Sequence, residues 1–266
     1  ATLDRTRLVR AEILATEQAF ERVLAEPEYA RYSSPNHHLA AMDGIAVTAE
    51  KTFPAREGRP LTLKRDVDFV PVNTGQPLPT EPLAPFSADA VIMVEHVTEV
   101  DEDTVRVESA AFPWQHVRRI GEDIVATELL FPRHHLLSPY DVAALLTAGV
   151  WEVLVYTRLK AVIIPTGSEV LDFRDRPNPQ PGQVIESNSQ FLAARLQQMG
   201  CQAVRTPPVS DDPEILAEAM AKAAEEGAHL VITCAGSSAG SKDFTRAALE
   251  RAGRVLVHGV AAMPGK

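Results

Sequence analysis

The chain has 266 residues, 45% of them hydrophobic and 23% charged, and a formal net charge of −10. That length allows two domains with cores of their own, and the acidic balance speaks against nucleic acid or an anionic membrane face held by general basic charge. A small anionic ligand needs only local donors and stays open.

Two cysteines, Cys201 and Cys234, make neither a disulfide framework nor a zinc spacing, so buried free thiols in a reducing, cytoplasmic compartment are expected. No apolar run approaches the ~18 residues of a membrane span.

Residues 4–26 read as one amphipathic helix. Leu8, Ala11, Ala15, Ala19 and Val23 recur at helical spacing and Pro27 closes the run. From Tyr29 to about Arg119 the texture changes to short β-like runs between turn residues, with prolines concentrated from Pro54 to Pro139. Val91–Val94 and Thr104–Val107 flank Asp101-Glu102-Asp103 and predict a hairpin. Ala41-Met42-Asp43-Gly44 is an ordinary turn signal on its own, and Val72–Pro79, which contains Thr74, is a loop crowded with turn formers. His37-His38 and His134-His135 are adjacent pairs whose rings project apart, and nothing nearby completes a ligand set. Arg118-Arg119-Ile120-Gly121-Glu122-Asp123 fits either a salt-bridged loop or paired cations for phosphate beside a carboxylate for a metal. Ser138-Pro139 then caps a helix over Tyr140–Ala148 that Gly149 ends, expected to pack back on the N-terminal helix.

From Arg158 strands and helices alternate. Ala161–Ile164 is an apolar run followed by Thr166-Gly167-Ser168-Glu169, and Ser187 or Ser189 starts a helix that ends before Gly200. A strand near Gln202–Arg205 leads to Asp211-Asp212-Pro213, with Asp212 as cap and Pro213 at the first helical position. Leu230–Thr233 precedes the small-residue loop Cys234–Asp243, then comes a helix to Gly253 and a last strand, Val255–Val257. The alternation predicts a parallel sheet with helices on both faces.

Every polar cluster in this half follows a strand, and the carboxyl ends of strands are where open α/β sheets bind ligands. The loop carrying Gly236, Ser237, Ser238 and Gly240 joins a strand to a helix, so its N–H groups suit an anion, with a tight connection without ligand as the weaker alternative. Glu169, Asp211, Asp212 and Asp243 would repel one another unless a hard cation such as Mg²⁺ intervened. Helix capping accounts for the three aspartates without excluding that role.

Taken in order, Ala-Met-Asp-Gly at 41–44, Asn-Thr-Gly at 73–75 with Leu78-Pro79, Ala88–Glu95, Arg118–Ile124, Thr166–Glu169, Asp211-Asp212, Gly236–Asp243 and Pro264-Gly265-Lys266 give a chain that resembles the MoeA/gephyrin E-domain family, the molybdopterin molybdotransferases. The resemblance covers roughly Ser34 to Lys266. It implies insertion of molybdenum from molybdate into adenylylated molybdopterin, with Mg²⁺ and release of AMP, by an elongated homodimer. It further implies that Asp43, Thr74 and Asp123 line a cleft from the β-rich side. Thr166, Gly167, Glu169, Asp211 or Asp212, Gly236, Ser237, Ser238, Gly240, Asp243 and Lys266 would line it from the α/β side.

The expected organisation is a three-layer α/β/α domain with a mostly parallel sheet at 158–266, a β-rich domain at 31–125, and a helical or extended linking domain from 1–30 with 126–157. Ala235 and Met263 depart from the family pattern, where Gly and a second Lys are usual, and the family's later Gly-Leu-Pro-Gly-Asn-Pro loop and C-terminal β domain are not in the sequence. Those departures support an alternative, a non-catalytic pterin- or molybdate-binding regulatory module. Met42–Ile45 with His37-His38 upstream is similar to variants fused to a further C-terminal domain, so the chain is expected to be a piece of a longer protein.

Overall fold

The computed structural model describes residues 10–234 and 244–257. Expectations that rest on 4–9, on the loop with Gly236, Ser237, Ser238, Gly240 and Asp243, and on Lys266 lie outside the described residues. The chain divides into two compact units. One comprises Leu14–Phe20 and Glu26–Val153, the other the segment up to Ile13, Glu21–Ala25 and everything from Leu154.

The predicted N-terminal helix is not formed over its described part. Ala11–Ala15 is strand β1, which pairs with β12 (Glu152–Tyr156), and a 3₁₀ turn over Thr16–Gln18 follows. Leu24 bridges Val155, the Tyr156 N–H donates to Val23 O, and the Ala25 N–H donates to Leu154 O. Arg22 donates to the Tyr156 carbonyl and to Glu12. The alanine-rich segment has helical propensity, but β12 offers it a ladder and buried Val153 and Val155 to pack on, and tertiary pairing overrides propensity.

In the first unit, β2 (Glu28–Tyr29) pairs antiparallel with β11 (Leu129–Phe131), and β3 (Leu39–Ala40) with β10 (Val117–Arg118). Strand β4 (Gly44–Val47) leads to the short helix α1 (Ala49–Thr52), and β5 (Leu61–Lys64), β6 (Phe69–Val72), β7 (Ala90–Met93), β8 (Val97–Asp101) and β9 (Thr104–Val107) follow. Two three-stranded antiparallel sheets result, ordered β6-β4-β7 and β5-β9-β8. Successive residues of a strand face opposite ways. Ile45 and Val47 accordingly join a core with Leu63, Phe69, Val105 and Val107, while Ala46 joins a second with Ala40, Leu78 and Val91. Pro71 is tolerated because β6 is an edge strand.

The predicted hairpin is corrected. Thr104–Val107 pairs with β8, whereas Val91 belongs to β7 on the other sheet, because a 3₁₀ turn at Val94–His96 separates the two runs. Helix α2 (Pro139–Thr147) has the capping box Ser138–Asp141 and packs on the turn Thr16–Gln18 rather than on a helix.

The second unit is built on three parallel strands, β13 (Lys160–Pro165) between β16 (Gln202–Arg205) and β17 (Leu230–Cys234). Beside them stand a two-stranded pair, β14 (Val170–Leu171) and β15 (Val184–Ile185), and helices α3 (Asn188–Gln198), α4 (Pro213–Glu225) and α5 (Phe244–Ala252). Val162 and Ile164 pack with Leu216, Met220 and Ala248 of α4 and α5, while Ile163 packs with Leu192, Ala193 and Leu196 of α3. Helices therefore cover both faces of β13, which explains its continuous apolar run. Val255–Val257, expected as a strand, pairs with none among the described residues. It lines an apolar groove with Met220, Val231 and Leu249, leaving Val257 74% exposed. Cys234 is buried as expected, but Cys201 is only half-buried because it lies just before β16.

Candidate functional site

The carboxyl ends of the three parallel strands carry the predicted residues of the second unit. Thr166 follows β13 directly, its N–H donating to Cys234 O at 2.8 Å, and it bridges Val209 beyond β16. The Gly167 N–H donates to Val209 O at 3.1 Å, and the Ser168 N–H to Asp211 Oδ2 at 3.1 Å. Thr166, Gly167 and Asp211 are thus drawn together by backbone bonding across one edge.

Gly167 has φ +140°, and a Cβ there would meet Val170 Cγ2 at 2.4 Å and Glu169 Oε2 at 3.1 Å, so this turn requires glycine. Its tightness carries Glu169 to the mouth of a cleft of about 210 Å³, lined also by Thr166, Val184, Glu186, Asn188 and Cys234. Burial, and then the Glu186 carboxylate, push the Cys234 thiol up from its usual range, so it stays protonated at neutral pH.

The four proposed metal residues do not converge among the described ones. Asp212 caps α4, its Oδ1 accepting from the Glu214 and Ile215 N–H groups, and Asp211 accepts from Ser168. No group of three His, Cys, Asp or Glu side chains suited to a metal occurs among the described residues, and Asp243 lies outside them.

Residues missed at the sequence level form a buried polar network behind the cleft. The Arg205 side chain, 2% exposed, donates to Ser189 Oγ at 2.7 Å and to Asp172 Oδ2 at 3.0 Å, reaches Glu186 Oε2 at 3.4 Å, and stands over the Phe173 ring. Arg205 holds the Asp172 carboxyl below the usual range. The available signal was a polar cluster, Glu186-Ser187-Asn188, following a strand, but β15 is only two residues long and leaves no visible period.

The first unit brings together two further pairs. The Asp43 Oδ1 accepts from the Thr74 N–H at 2.7 Å and from its hydroxyl at 2.8 Å. Those two bonds, backbone first, hold the exposed Asp43 carboxyl below its ordinary value. Asp123 accepts twice from Arg118 Nη2, at 2.7 and 2.6 Å, and from the Ser34 hydroxyl at 3.5 Å, and Glu122 lies 3.8 Å from the same guanidinium. Arg118–Asp123 forms a salt-bridged loop, an arrangement that accords with either of its two readings. The short strand pair β3–β10 links these sites, since Gly75 N–H donates to Ala40 O and Arg118 pairs with Leu39. His38 Nδ1 accepts from the Ile120 N–H, which accounts for that histidine without a ligand.

Among known families, residues 1–149 match the one described as "MoeA N-terminal region (domain I and II)", and residues 162–266 match "Probable molybdopterin binding domain". A Methanocaldococcus jannaschii protein named for molybdopterin biosynthesis is 34% identical over 256 residues, covering 94% of this chain and 64% of that protein. The molybdopterin molybdenumtransferase of Haemophilus influenzae is 30% identical over 269 residues, covering 97% and 64%. A crystal structure of the molybdopterin biosynthesis MoeA protein from Pyrococcus horikosii matches with a TM-score of 0.81 at 28% identity, over 97% of this chain and 66% of that one. The chain therefore spans about 64% of the length of the curated relatives it matches.

Proposed function

The chain belongs to the MoeA family, and from that membership we propose that the protein it represents is a molybdopterin molybdotransferase. The reaction inserts molybdenum from molybdate into adenylylated molybdopterin and releases AMP, in the cytoplasm, as a step of molybdenum cofactor biosynthesis. The observation that carries the reading is the meeting of Thr166, Gly167 and Asp211 at the carboxyl edge of the sheet, with Glu169 at the cleft beside them. This lies in the half that matches a molybdopterin-binding family, and such an edge is the general ligand position of parallel sheets.

In this reading Thr166 and Glu169 hold the substrate by hydrogen bonds at the cleft. Asp43, ionised and pinned by Thr74, supplies a fixed acceptor that needs no reorganisation as charge develops. Asp123 fixes the direction of Arg118. Gly236, Ser237, Ser238, Gly240, Asp243 and Lys266 complete the proposal on the family resemblance alone. The described carboxylates alone do not gather into a magnesium site, Asp211 and Asp212 each giving one oxygen to backbone N–H groups, and no step is routed through that ion. A homodimer, the domain limits 31–125 and 158–266, and a three-layer second domain belong to the same proposal. The last is supported by the split of Val162 and Ile164 from Ile163 between opposite faces.

The test is AMP release by the longest natural form of the protein, given adenylylated molybdopterin, molybdate and Mg²⁺. Glu169→Gln is expected to lower turnover by about 100-fold, the order seen when one positioned polar group is removed from an active site. Unchanged turnover contradicts the reading, and tight pterin binding with no AMP released by the unmutated protein favours the regulatory module instead.

A further inference from the structure

Helix α3 takes its cap from an unexpected residue. Ser187 stands at the N-cap, yet its hydroxyl makes no capping bond and its backbone sits at φ −135°, ψ −19°, outside the extended region that N-cap residues ordinarily adopt. Helices α2 and α4 are capped in the ordinary way and differ on both counts. Ser138 of α2, at φ −86° and ψ 169°, accepts from the Asp141 N–H, and Asp212 of α4, at φ −111° and ψ 121°, accepts from Glu214 and Ile215. At α3 the acceptor is the residue before the cap. Glu186 Oε1 accepts from the Ser189 N–H at 2.7 Å, and its Oε2 accepts from the Ser189 hydroxyl.

Arg205 makes this arrangement possible. A carboxylate with 5% side-chain exposure needs a cation beside it. The guanidinium, 2% exposed at the end of β16, reaches Glu186 Oε2 at 3.4 Å while its Nε donates to Ser189 Oγ at 2.7 Å. Its two Nη groups fork onto the Asp172 carboxylate, each at 3.0 Å, and its Cζ stands 4.6 Å from the centre of the Phe173 ring. A lysine ammonium, a point charge on a flexible stem, could not serve these directions together. One side chain of the central sheet thus ties down the residues that follow β14, the residue that follows β15 and the first turn of α3. Arg205 does not line the cleft, whereas Glu186, Ser187 and Asn188 do. With Glu186 holding the cap, the Ser187 hydroxyl is spent on no backbone N–H of α3, and Ser187 and Asn188 stand exposed on the cleft wall.

We propose that Glu186 is a positioning residue: anchored by Arg205, it takes the cap of α3 from Ser187 and so fixes how Ser187 and Asn188 stand on the cleft wall. Without that carboxylate the first turn of α3 relaxes to the ordinary arrangement, with the Ser187 hydroxyl turned onto the Ser189 or Gln190 N–H. The link to catalysis rests on the proposed function, while the exchange of caps rests on the geometry of α3.

Thermal unfolding of the unmutated protein, Ser187→Ala, Glu186→Ala and the double variant tests the exchange. Glu186→Ala leaves Arg205 paired with Asp172 and is expected to fold. Ser187→Ala alone should leave the melting temperature unchanged, because that hydroxyl caps nothing. Added to Glu186→Ala, the same substitution should lower it by a further ~3 °C, as loss of one serine cap does in a chain of this size. A Ser187→Ala effect that is equal in both backgrounds overturns the proposal. Turnover by the longest natural form gives the second readout. Glu186→Ala should lower kcat/KM about tenfold, the scale of one misplaced hydrogen bond. Glu186→Gln should retain most of the parent value, since its amide oxygen still accepts from Ser189. Arg205→Lys should be impaired as Glu186→Ala is, although Arg205 does not line the cleft. Undiminished kcat/KM in folded Glu186→Ala, or Glu186→Gln as impaired as Glu186→Ala, also overturns the proposal. Failure of the proposed function looks different: the unmutated protein releases no AMP, while the exchange of caps is still read in the melts.

Discussion

Between Asp43 and β4 the backbone runs so close to β7 that a Cβ on Gly44 would lie 2.0 Å from the Ile92 carbonyl oxygen. A methyl group cannot be accommodated by side-chain motion alone, because the obstacle is main chain paired in register with Gly44 at Met93. Gly44→Ala is expected to destabilise the protein by about 3 kcal/mol, at the upper end for overpacking, read as a lower urea midpoint at unchanged slope. Asp172 is a second test at a single side chain. The hydrogen bond from Arg205 holds its folded-state pKa below the ordinary carboxylate value, with burial opposing that shift. Ionised Asp172 therefore contributes stability above about pH 4, its unfolded range, and the contribution is lost as the pH falls through the folded-state value. The difference in unfolding free energy between the unmutated protein and Asp172→Asn should be constant at neutral pH and shrink in acid. A difference that grows in acid would contradict the pairing.

Helix α4 shows what local signals can fix. Asp212 at its N-cap and Pro213 after it were readable from the sequence, and the carboxylate does accept from Glu214 and Ile215. Asp212→Ala should cost about 1 kcal/mol, and Asp212→Asn much less, by thermal unfolding. The starts of α2 and α3, the stops at Gly149, Gly200 and Gly227 with φ of +79°, +82° and +83°, and all three parallel strands were legible for the same reason: each depends on a few neighbouring residues. The N-terminal segment was not, because Ala11–Ala15 becomes a strand only by meeting β12 more than 130 residues later. For Thr104–Val107 the turn at Asp101–Asp103 was legible but the other arm was not, because the 3₁₀ turn Val94–His96 that separates β7 from β8 has no signal in the apolar run. Of the candidate site, Thr166, Gly167, Glu169 and Asp211 were visible as polar residues after strands. Glu186, Asn188 and Arg205 were hidden, since their roles follow from a burial network rather than from spacing.

The two units carry different chemistry. The first, stiffened by two small antiparallel sheets, presents the pinned Asp43 and the Arg118–Asp123 pair. The second presents a cleft at one edge of a parallel sheet, where β13 is sheathed on both faces so that only its end is available to a ligand. No helix among the described residues is long and apolar enough to cross a membrane. The central claim is that the substrate meets the carboxyl ends of β13, β16 and β17. Amide chemical-shift mapping of the isotope-labelled protein during titration with adenylylated molybdopterin tests this directly. The largest shifts should fall at Thr166–Glu169, Ser187–Asn188 and Asp211. Shifts centred instead on Lys160, Gln202 and Leu230, at the opposite ends of the same strands, would contradict it.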